Sequence, residues 1–259
     1  MNLPPMSLPR TPSLRLDGRR ALVTGGTRGI GLGAAVALAE AGAAVTISAR
    51  TASDVEATVG AFRAAGLAAA GAVFDVTDVA AVAGFVTAAE PFDILVNNAG
   101  GARHAPFLEV TEADYDAVMA LNVKSIVFAS QAVAKRLIAV GRGGSIIHIS
   151  SQMGHVSGPE RSIYSASKFA VEGLSKAMAI ELGPHNIRVN TICPTFIETE
   201  MTAQKLAAPA FRDWVLGKIK LGRLGRVEDL MGPIVLLASD AGAMMTGSSV
   251  MVDGGWTAE

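Results

Sequence analysis

Seven short apolar runs alternate with alanine-rich helical segments, and this alternation restricts the possible fold more than any other feature of the chain. The runs typical of strands lie at residues 20–24, 44–49, 70–74, 94–97, 145–150, 187–193 and 248–252. Helical patterns lie between them, at residues 30–41, 53–65, 79–88, 111–140, 164–182 and 227–238. Strands that are apolar on both faces and alternate with helices favour a parallel sheet with helices on both sides. The pattern therefore predicts a doubly wound α/β fold built on a seven-stranded parallel sheet.

No linker, repeat or change in composition divides the chain into two domains. Its 259 residues suit a single domain, which we place at residues 17–259, and the hydrophobic half of them (50%) is enough for a large core. Residues 1–16 contain four prolines and are predicted to form a flexible extension. Residues 197–222 interrupt the alternation directly after the sixth strand, where ligands bind in such sheets. We therefore predict a mobile lid over the substrate at 197–222.

Charge and cysteine content argue against several classes of protein. The net charge is −1 at pH 7 and no basic run is present, which disfavours binding to nucleic acid. The single cysteine, Cys193, excludes an internal disulfide and is compatible with a reducing compartment. No uncharged apolar run has the length of a membrane span, and no His, Cys or acidic residues have the spacing of metal ligands. The N-terminus lacks the pattern of a secretory signal, so we expect a cytoplasmic protein without metal, membrane or nucleic-acid partners.

A glycine-rich turn, which we call the glycine turn (residues 24–31), joins the first strand to the first helix with the sequence Thr-Gly-Gly-Thr-Arg-Gly-Ile-Gly. Glycines allow a tight turn and a close approach of the backbone to a ligand. The helix N-terminus adds N–H groups and a dipole that favour an anion. In this strand–turn–helix position the glycine turn predicts a site for the pyrophosphate of a dinucleotide.

Tyr164 and Lys168 are four residues apart, so they share one face of a helix. A tyrosine with its ordinary pKa of about 10 is a poor acid–base catalyst at neutral pH. A nearby ammonium favours the phenolate, so Lys168 is predicted to lower the pKa of Tyr164. Ser151 can then hold the oxygen of a carbonyl or an alcohol against Tyr164. The three residues together predict a site that moves a proton on and off an oxygen.

Taken together, these motifs resemble the short-chain dehydrogenase/reductase family. The glycine turn has the spacing TGxxxGxG, and the resemblance covers about residues 16–256. It implies a Rossmann fold, a nicotinamide cofactor, and reversible reduction of a ketone to a secondary alcohol without a metal. The further matches, in chain order, are Asn97-Asn98-Ala99-Gly100, Asn122, Ser151, Tyr164 with Lys168, Ile187-Arg188-Val189-Asn190 and Val252-Asp253-Gly254-Gly255.

The resemblance implies a catalytic tetrad of Asn122, Ser151, Tyr164 and Lys168. Tyr164 would be the general acid in reduction and the general base in oxidation. Lys168 would lower the pKa of Tyr164 and hold the nicotinamide ribose. Asn122 would anchor a water that links Lys168 to a proton relay, or else satisfy backbone groups at a helix bend.

Cofactor contacts are also implied by the resemblance, along most of the length of a dinucleotide. Asp75 and Val76 match a pair that contacts the adenine, although Asp75 could instead cap the following helix. Thr195 stands where the family usually has glycine, near the expected nicotinamide. The full set of implied cofactor residues is Gly25, Thr27, Arg28, Gly29, Ile30, Gly31, Arg50, Asp75, Val76, Asn97, Gly100, Tyr164, Lys168, Ile197 and Thr199.

The end of the second strand indicates which nicotinamide cofactor is used. An enzyme that prefers NAD usually has an acid at the position of Ala49, where it holds the ribose 2′-hydroxyl. Here Arg50 follows Ala49, and Arg28 lies in the glycine turn. Two guanidinium groups can form charge-assisted bonds to a 2′-phosphate. The sequence therefore favours NADP(H) and leaves NAD(H) possible.

Substrate contacts are expected from residues 101–107, residues 152–161 and the lid. The selected candidates are His104, Gln152 and His155, with the bonding of His155 to backbone or water as the alternative. Other polar side chains in these segments are Arg103, Glu160 and Arg161.

The leading interpretation is an NADP(H)-dependent oxidoreductase that acts on a small ketone or secondary alcohol, with Tyr164 as acid and base. Reduction of a 3-oxoacyl thioester and oxidation of a sugar or polyol with NAD(H) stay open as alternatives. A cofactor-sensing binding protein is the non-enzymatic alternative. Nucleotide-sugar epimerases also use Tyr-x-x-x-Lys, but they are longer chains with a larger substrate domain. The resemblance further implies a homotetramer, assembled through helices at 111–140 and 164–182.

Overall fold

The computed structural model describes residues 8–259, apart from the side chains of residues 201, 204 and 205. In this part of the chain a single sheet of seven parallel strands is covered by helices on both faces, so the predicted doubly wound Rossmann fold is confirmed. The strand order is β3-β2-β1-β4-β5-β6-β7. The strands are β1 (Arg20–Thr24), β2 (Ala44–Ala49), β3 (Ala69–Val73), β4 (Ile94–Asn97), β5 (Gly144–Ile149), β6 (Ile187–Pro194) and β7 (Ser249–Val252).

The helices lie close to the predicted segments. They are α1 (Gly29–Glu40), α2 (Ala52–Ala64), α3 (Val79–Ala88), α4 (Glu112–Met119), α5 (Ser125–Ala139), α6 (Ser162–Leu182), α7 (Glu200–Leu206), α8 (Pro209–Lys218) and α9 (Glu228–Ala238). α3 begins at a side-chain cap, because Asp78 accepts a hydrogen bond from the N–H of Ala81 at 3.0 Å. Asp75 therefore does not cap this helix.

Adjacent residues of β1 pack into two different cores, because successive strand side chains point to opposite faces of a sheet. Val23 belongs to the cluster formed with α1 and α9, whereas Leu22 belongs to the cluster formed with α3 and α5. Both side chains are fully buried. Because both faces of the sheet are covered, consecutive residues of a strand must be apolar. This requirement explains the uninterrupted apolar runs in the sequence.

The strand order reverses between β1 and β4, and this reversal decides where the site lies. Thr24, the last residue of β1, is paired in register with Asn97, the last residue of β4. In open α/β sheets, ligands bind in the crevice beyond the carboxyl ends of the strands at such a switch point. The glycine turn and the segment after Asn97 both begin at this crevice.

Two segments differ from the sequence prediction. The helix predicted at 111–140 is interrupted by a π-helical turn at Ala120–Lys124, between α4 and α5. Asn122 lies in this turn and is fully buried, with its side chain bonded to Gly101 and Ser167. Pro209 occupies the first turn of α8, where its missing N–H costs no hydrogen bond. The predicted lid is therefore more regular than its sequence indicates, because α7 and α8 lie within it. Its mobility stays a prediction.

The combined helical stretch Glu112–Ala139 is long and apolar enough to cross a membrane by length and composition alone. That is weak evidence, since core helices of soluble proteins pass the same test, and α5 packs against α3 and the sheet here. The predicted N-terminal extension lies in part outside the described residues. At its end, Leu16 is buried in the core and donates its backbone N–H to Ala41.

Candidate active site

The glycine turn has a geometry that only glycine accommodates at several positions. Gly25 and Gly29 have φ of 63° and 52°, which favour glycine. A Cβ on Gly31 would lie 2.2 Å from the carbonyl oxygen of Gly25, so no side chain fits there. Arg28 precedes α1 without a side-chain cap, which leaves the first N–H groups of the helix without a side-chain partner. This cradle fits the pyrophosphate of a dinucleotide, with Thr27 and Ile30 half-buried beside it.

Asn98 fixes the glycine turn from below, a role that the sequence analysis did not assign to it. Its Nδ2 donates to the carbonyl oxygens of Thr24 and Gly25 at 3.0 and 2.9 Å. In return, the hydroxyl of Thr24 accepts from the N–H groups of Asn98 and Ala99. The Asn-Asn-Ala-Gly motif was the available signal, but only the fold shows that its second asparagine bonds the turn.

Arg28 and Arg50, the two predicted ligands of a 2′-phosphate, are both highly exposed. Arg28 lies 3.9 Å from Glu200 and Arg50 lies 3.9 Å from Asp75, measured between nitrogen and oxygen. Such exposed pairs contribute only about 0–1 kcal/mol, so a phosphate dianion can displace them easily. Asp75 accepts from the backbone N–H of Thr77, and this bond is the first reason that its pKa is lowered.

Three of the predicted cofactor residues cannot reach a ligand with their side chains. Asn97 is buried and its Nδ2 donates to the hydroxyl of Ser130 at 2.9 Å, close to His148. Val76 and Ile197 are also buried, Val76 in the core beside α3 and α5. Only their backbones are available for the predicted contacts.

At the nicotinamide end, the start of the lid contacts the glycine turn. A Cβ on Gly29 would lie 3.4 Å from the Cγ2 of Thr199, so the two segments are in van der Waals reach. The hydroxyl of Thr202 donates to the carbonyl of Ile197 and closes this turn. Thr195 replaces the family's usual glycine without a positive φ, so it introduces no left-handed strain.

The predicted catalytic residues converge beyond the ends of β4 and β5. Ser151 follows β5, and Tyr164 and Lys168 lie on α6, with the Nζ of Lys168 5.7 Å from the centre of the Tyr164 ring. Gly100 lies beside them, because a Cβ there would be 3.3 Å from Asn122 Oδ1 and 3.9 Å from Lys168 Nζ.

The pKa of Tyr164 differs from the prediction. Burial of the phenol raises its pKa above the ordinary value, while a hydrogen bond with Ser151 and the charge of Arg161 act in the opposite direction. Lys168 is not among the causes, although the sequence predicted that it would lower this pKa. Burial also lowers the pKa of Lys168 itself, to about 8. The nearby cation that favours the phenolate here is therefore Arg161.

Lys168 and Asn122 are held by backbone groups. The ammonium of Lys168 donates to the carbonyl of Ile149 at 2.9 Å. Asn122 bonds both the N–H and the carbonyl of Gly101, and donates to Ser167 at 3.0 Å. These bonds match the alternative reading of Asn122 as a residue that satisfies backbone groups at a helix irregularity. Its predicted link to a water relay stays a prediction.

Two of the three selected substrate candidates lie at this site. The ring of His104 packs edge-on against Tyr164, with centroids 6.1 Å apart. Gln152 accepts a hydrogen bond from the hydroxyl of Ser151 at 2.7 Å, and it is buried. Gln152 can therefore orient Ser151.

His155, the third selected candidate, contacts a different set of residues. Its Nε2 lies 3.5 Å from the sulfur of Cys193 and 3.6 Å from a carboxylate oxygen of Glu172. These contacts engage the Nε2 of a side chain that is 34% exposed, and a substrate contact of His155 stays a prediction. The sequence did not indicate this cluster because its members are widely spaced along the chain.

Arg161 is the residue whose importance the sequence analysis underrated. Arg161 directly precedes α6 and is only 9% exposed. Its guanidinium lies 5.3 Å from the centre of the Phe196 ring. Among the residues that the structure describes, its guanidinium forms no hydrogen bond or ion pair. The charges that act on it are those of Tyr164 and Glu160. Burial lowers its pKa. The only sequence signal was a basic residue three positions before Tyr164. Arg103, in contrast, is exposed and pairs with Asp114.

Two further motifs of the resemblance have structural roles. Arg188 donates to the carbonyls of Leu237 and Ser239, and Asn190 donates to that of Met245. The carboxylate of Asp253 accepts from the N–H groups of Gly255 and Thr257. These bonds tie β6 and β7 to the segments around them.

Comparison with known proteins agrees with this geometry. The family described as enoyl-(acyl carrier protein) reductase matches residues 25–257. Gluconate 5-dehydrogenase from Gluconobacter oxydans is 44% identical over 246 residues, which are 93% of this chain and 96% of that protein. D-erythrulose reductase from Gallus gallus is 42% identical over 245 residues, 95% of this chain and 98% of that protein.

A solved structure is similar over nearly the whole chain. Gluconate 5-dehydrogenase from Burkholderia cenocepacia, in complex with NADP and tartrate, has a TM-score of 0.92 and 39% identity, and the match covers 96% of this chain and 99% of that one. With the glycine turn, Ser151, Tyr164 and Lys168 in place, these matches show that the chain belongs to the short-chain dehydrogenase/reductase family of oxidoreductases.

Proposed function

We propose that this protein is an NADP(H)-dependent oxidoreductase that interconverts the ketone and the secondary alcohol of a small sugar acid. The observation that carries the choice of substrate is Arg161, a buried guanidinium beside Tyr164 that forms no ion pair with any residue the structure describes. A buried charge is costly unless it is paired. A substrate carboxylate would supply that pair in bidentate form, which guanidinium groups favour.

The relatives agree with this choice of substrate class. Two are gluconate 5-dehydrogenases, and tartrate, a hydroxy acid, accompanies NADP in the structure from Burkholderia cenocepacia. The carboxylate would lie near Arg161, between the phenol of Tyr164 and the ring of Phe196. His104 and Gln152 would then face the hydroxyl groups.

In the proposed reaction, NADP(H) supplies or accepts the hydride. Tyr164 donates its proton to the carbonyl oxygen during reduction and takes it back during oxidation. Ser151, oriented by Gln152, holds the same oxygen. Lys168 binds the nicotinamide ribose. The positive charge of Arg161 offsets part of the rise in the pKa of Tyr164 that burial causes.

The choice of NADP(H) is supported by the chain's own residues. Ala49 leaves no carboxylate for a ribose 2′-hydroxyl at the end of β2. Among the described residues, Arg28 and Arg50 each have one exposed carboxylate partner at 3.9 Å, so both guanidinium groups are available to a 2′-phosphate.

A neutral ketose is the second candidate substrate, because D-erythrulose reductase is also a close relative. The earlier alternatives of a 3-oxoacyl thioester and of a cofactor-sensing binding protein are not favoured by any specific contact at the site. A homotetramer and a cytoplasmic location stay predictions. Light scattering that gave the mass of a monomer would contradict the former.

Steady-state kinetics with two groups of substrates test the proposal. With NADP+, sugar acids such as D-gluconate should be oxidised with higher kcat/KM than alditols, and keto acids should be reduced better than neutral ketoses. Replacement Arg161→Gln should raise KM for the acids about 30-fold, since hydrogen bonds to charged groups contribute roughly 1.5–3 kcal/mol, and leave KM for neutral substrates unaffected, whereas kcat should fall for both groups because Tyr164 loses the charge of Arg161. Arg103→Gln is the matched control. Equal losses for acids and neutral sugars would refute the role of Arg161.

Tyr164→Phe tests the chemistry separately from recognition. General acid–base groups contribute about 10²–10⁴-fold, so turnover should fall by about that factor. Binding of NADPH, followed by fluorescence, should be retained because the glycine turn is intact. Unchanged turnover would exclude the proposed role of Tyr164 whatever the substrate.

A further inference from the structure

Cys193, Glu172 and His155 form a compact cluster that the proposed reaction does not use. They lie on β6, on α6 and just after β5, and their ligand atoms are all within 4.8 Å of one another. We propose that these three side chains form a binding site for one divalent transition-metal ion, with Zn²⁺ as the preferred occupant. This inference does not depend on the proposed substrate.

The distances between the ligand atoms suit a tetrahedral ion. Cys193 Sγ lies 3.5 Å from His155 Nε2 and 3.3 Å from Glu172 Oε1, and His155 Nε2 lies 3.6 Å from Glu172 Oε2. Zinc bonds of about 2.3 Å to sulfur and about 2.0–2.2 Å to nitrogen and oxygen place tetrahedral ligands roughly 3.3–3.6 Å apart. The two distances to Glu172 run to different oxygens of its carboxylate, and with one ligand atom per residue the three atoms lie within 4.8 Å of one another, so one carboxylate oxygen must move toward the ion to complete the site.

The surroundings hold the ligands in place. The hydroxyls of Thr191 and Ser249 donate to Glu172 Oε2, as outer-shell groups do for metal-binding carboxylates. Gly154 lets the turn that carries His155 lie against α6, because a Cβ there would be 3.0 Å from the Cγ of Glu172. Three ligands therefore come from three elements that are packed against each other.

Ligand chemistry and access indicate the kind of ion. Thiolate with imidazole and carboxylate suits zinc, whereas magnesium and calcium prefer oxygen ligands alone. Cys193 and Glu172 are buried, but the side chain of His155 is 34% exposed and gives an ion a way in from solvent. Three protein ligands leave the fourth position for a water molecule.

Binding must release a proton, because a metal binds the thiolate and not the thiol. Burial and the carboxylate of Glu172 raise the pKa of the Cys193 thiol to about 12, so the thiol is protonated at neutral pH. Each bound ion displaces this one proton to the buffer.

Metal titration of the full chain without an affinity tag tests the site. After removal of metal with a chelator, calorimetry with Zn²⁺ should give one ion per chain and one proton released. Co²⁺ in place of Zn²⁺ should give a thiolate-to-cobalt charge-transfer band. Cys193→Ser should abolish the band, and His155→Gln should lower affinity at least about 10-fold, as loss of a ligand or of its support does.

His185→Gln, which changes an exposed histidine elsewhere, is the matched control and should bind like the wild type. If the buried Cys193→Ser variant does not fold, the His155→Gln variant and the charge-transfer band of the wild type decide the question. Absence of binding, binding without the charge-transfer band, or equal affinity in His155→Gln would each overturn the proposal. The cluster would then be a hydrogen-bonded network between α6 and β6.

Discussion

The glycine turn and the aromatic cluster around Phe196 are built in different ways. The glycine turn is held by backbone groups and by the side chains of Asn98 and Thr24. The aromatic cluster consists of Phe196, Phe211, Trp214 and Trp256, whose neighbouring ring centroids lie 5.5–5.7 Å apart. A backbone cradle serves a ligand part that never varies, the pyrophosphate. The side chains of an aromatic cluster, in contrast, can be exchanged to suit a different substrate without altering the fold.

The two regions meet at the start of the lid. Thr199 lies against Gly29, and Glu200 lies 3.9 Å from Arg28. Substitutions in the glycine turn should therefore act on the cofactor, and those in the aromatic cluster on the substrate. The following predictions test this separation.

The largest effect is expected for Gly31→Ala. A methyl group would lie 2.2 Å from the carbonyl of Gly25 and 2.3 Å from the Nδ2 of Asn98, so the cradle must move. Displacements of about 1 Å in a positioned site cost about 100-fold, and we expect at least that loss in NADPH affinity. Gly60→Ala, on α2 with no atom in the way, is the matched control and should bind NADPH normally. Fluorescence titration of NADPH measures both, and equal affinities would show that the cradle is not the cofactor site.

Arg50→Asp should have the next largest effect, confined to one cofactor. We expect about 30-fold weaker binding of NADPH and a much smaller change for NADH, because only NADPH carries the 2′-phosphate that a charge-assisted bond would hold. Arg63→Asp, an exposed arginine on α2, controls for net charge. Similar losses for both cofactors, or for both variants, would contradict the assignment.

The pH dependence of oxidation should follow Tyr164 and Lys168. Oxidation needs the phenolate, and since the pKa of Tyr164 is raised, kcat/KM should increase about tenfold per pH unit from pH 6. The slope should fall near pH 8, where Lys168 loses its proton and with it the charge proposed to hold the nicotinamide ribose. In Lys168→Arg the cation stays charged, so the residual activity should rise without this break. A flat profile between pH 6 and 8 in the wild type would exclude a tyrosine base.

Phe196→Leu should have the smallest effect, on the substrate side alone. The ring lies 5.3 Å from the guanidinium of Arg161 and packs against Trp256. Loss of a contact of roughly 1 kcal/mol predicts about a fivefold higher KM for sugar acids, with unchanged affinity for NADPH. Phe107→Leu, at an exposed ring, is the control. A larger change in NADPH affinity than in KM would break the separation of the two regions.

The acid sensitivity of the fold is a property of neither region. His148 is fully buried beside Asn97, and burial lowers its pKa to about 3. The unfolded chain binds the proton near pH 6.5 and the folded chain only near pH 3, so stability should decrease as the pH falls through this window. His148→Leu should flatten the loss of unfolding free energy, measured by urea denaturation between pH 6.5 and 4.

Much of the fold follows from contacts between residues that are close together in the sequence. The strand and helix periods are local, and all seven predicted strands were found within one residue at each end. The π-helical turn at 120–124 was not predicted, because it coincides with bonds from Asn122 to Gly101 and Ser167, which are distant in sequence. The helices α7 and α8 were missed because residues 197–222 interrupt the regular alternation of strands and helices in the sequence.

The sequence by itself determined the parallel sheet, the glycine turn and the pairing of Tyr164 with Lys168, because each depends on spacing within one strand, turn or helix. The tertiary structure alone decided that Asn98 bonds a turn 74 residues away, that Arg161 is buried over Phe196, and that His155 faces Glu172 and Cys193. These contacts arise where separate elements pack. The burial that accompanies packing also sets the pKa values of Tyr164 and Lys168, since desolvation depends on the whole surrounding fold.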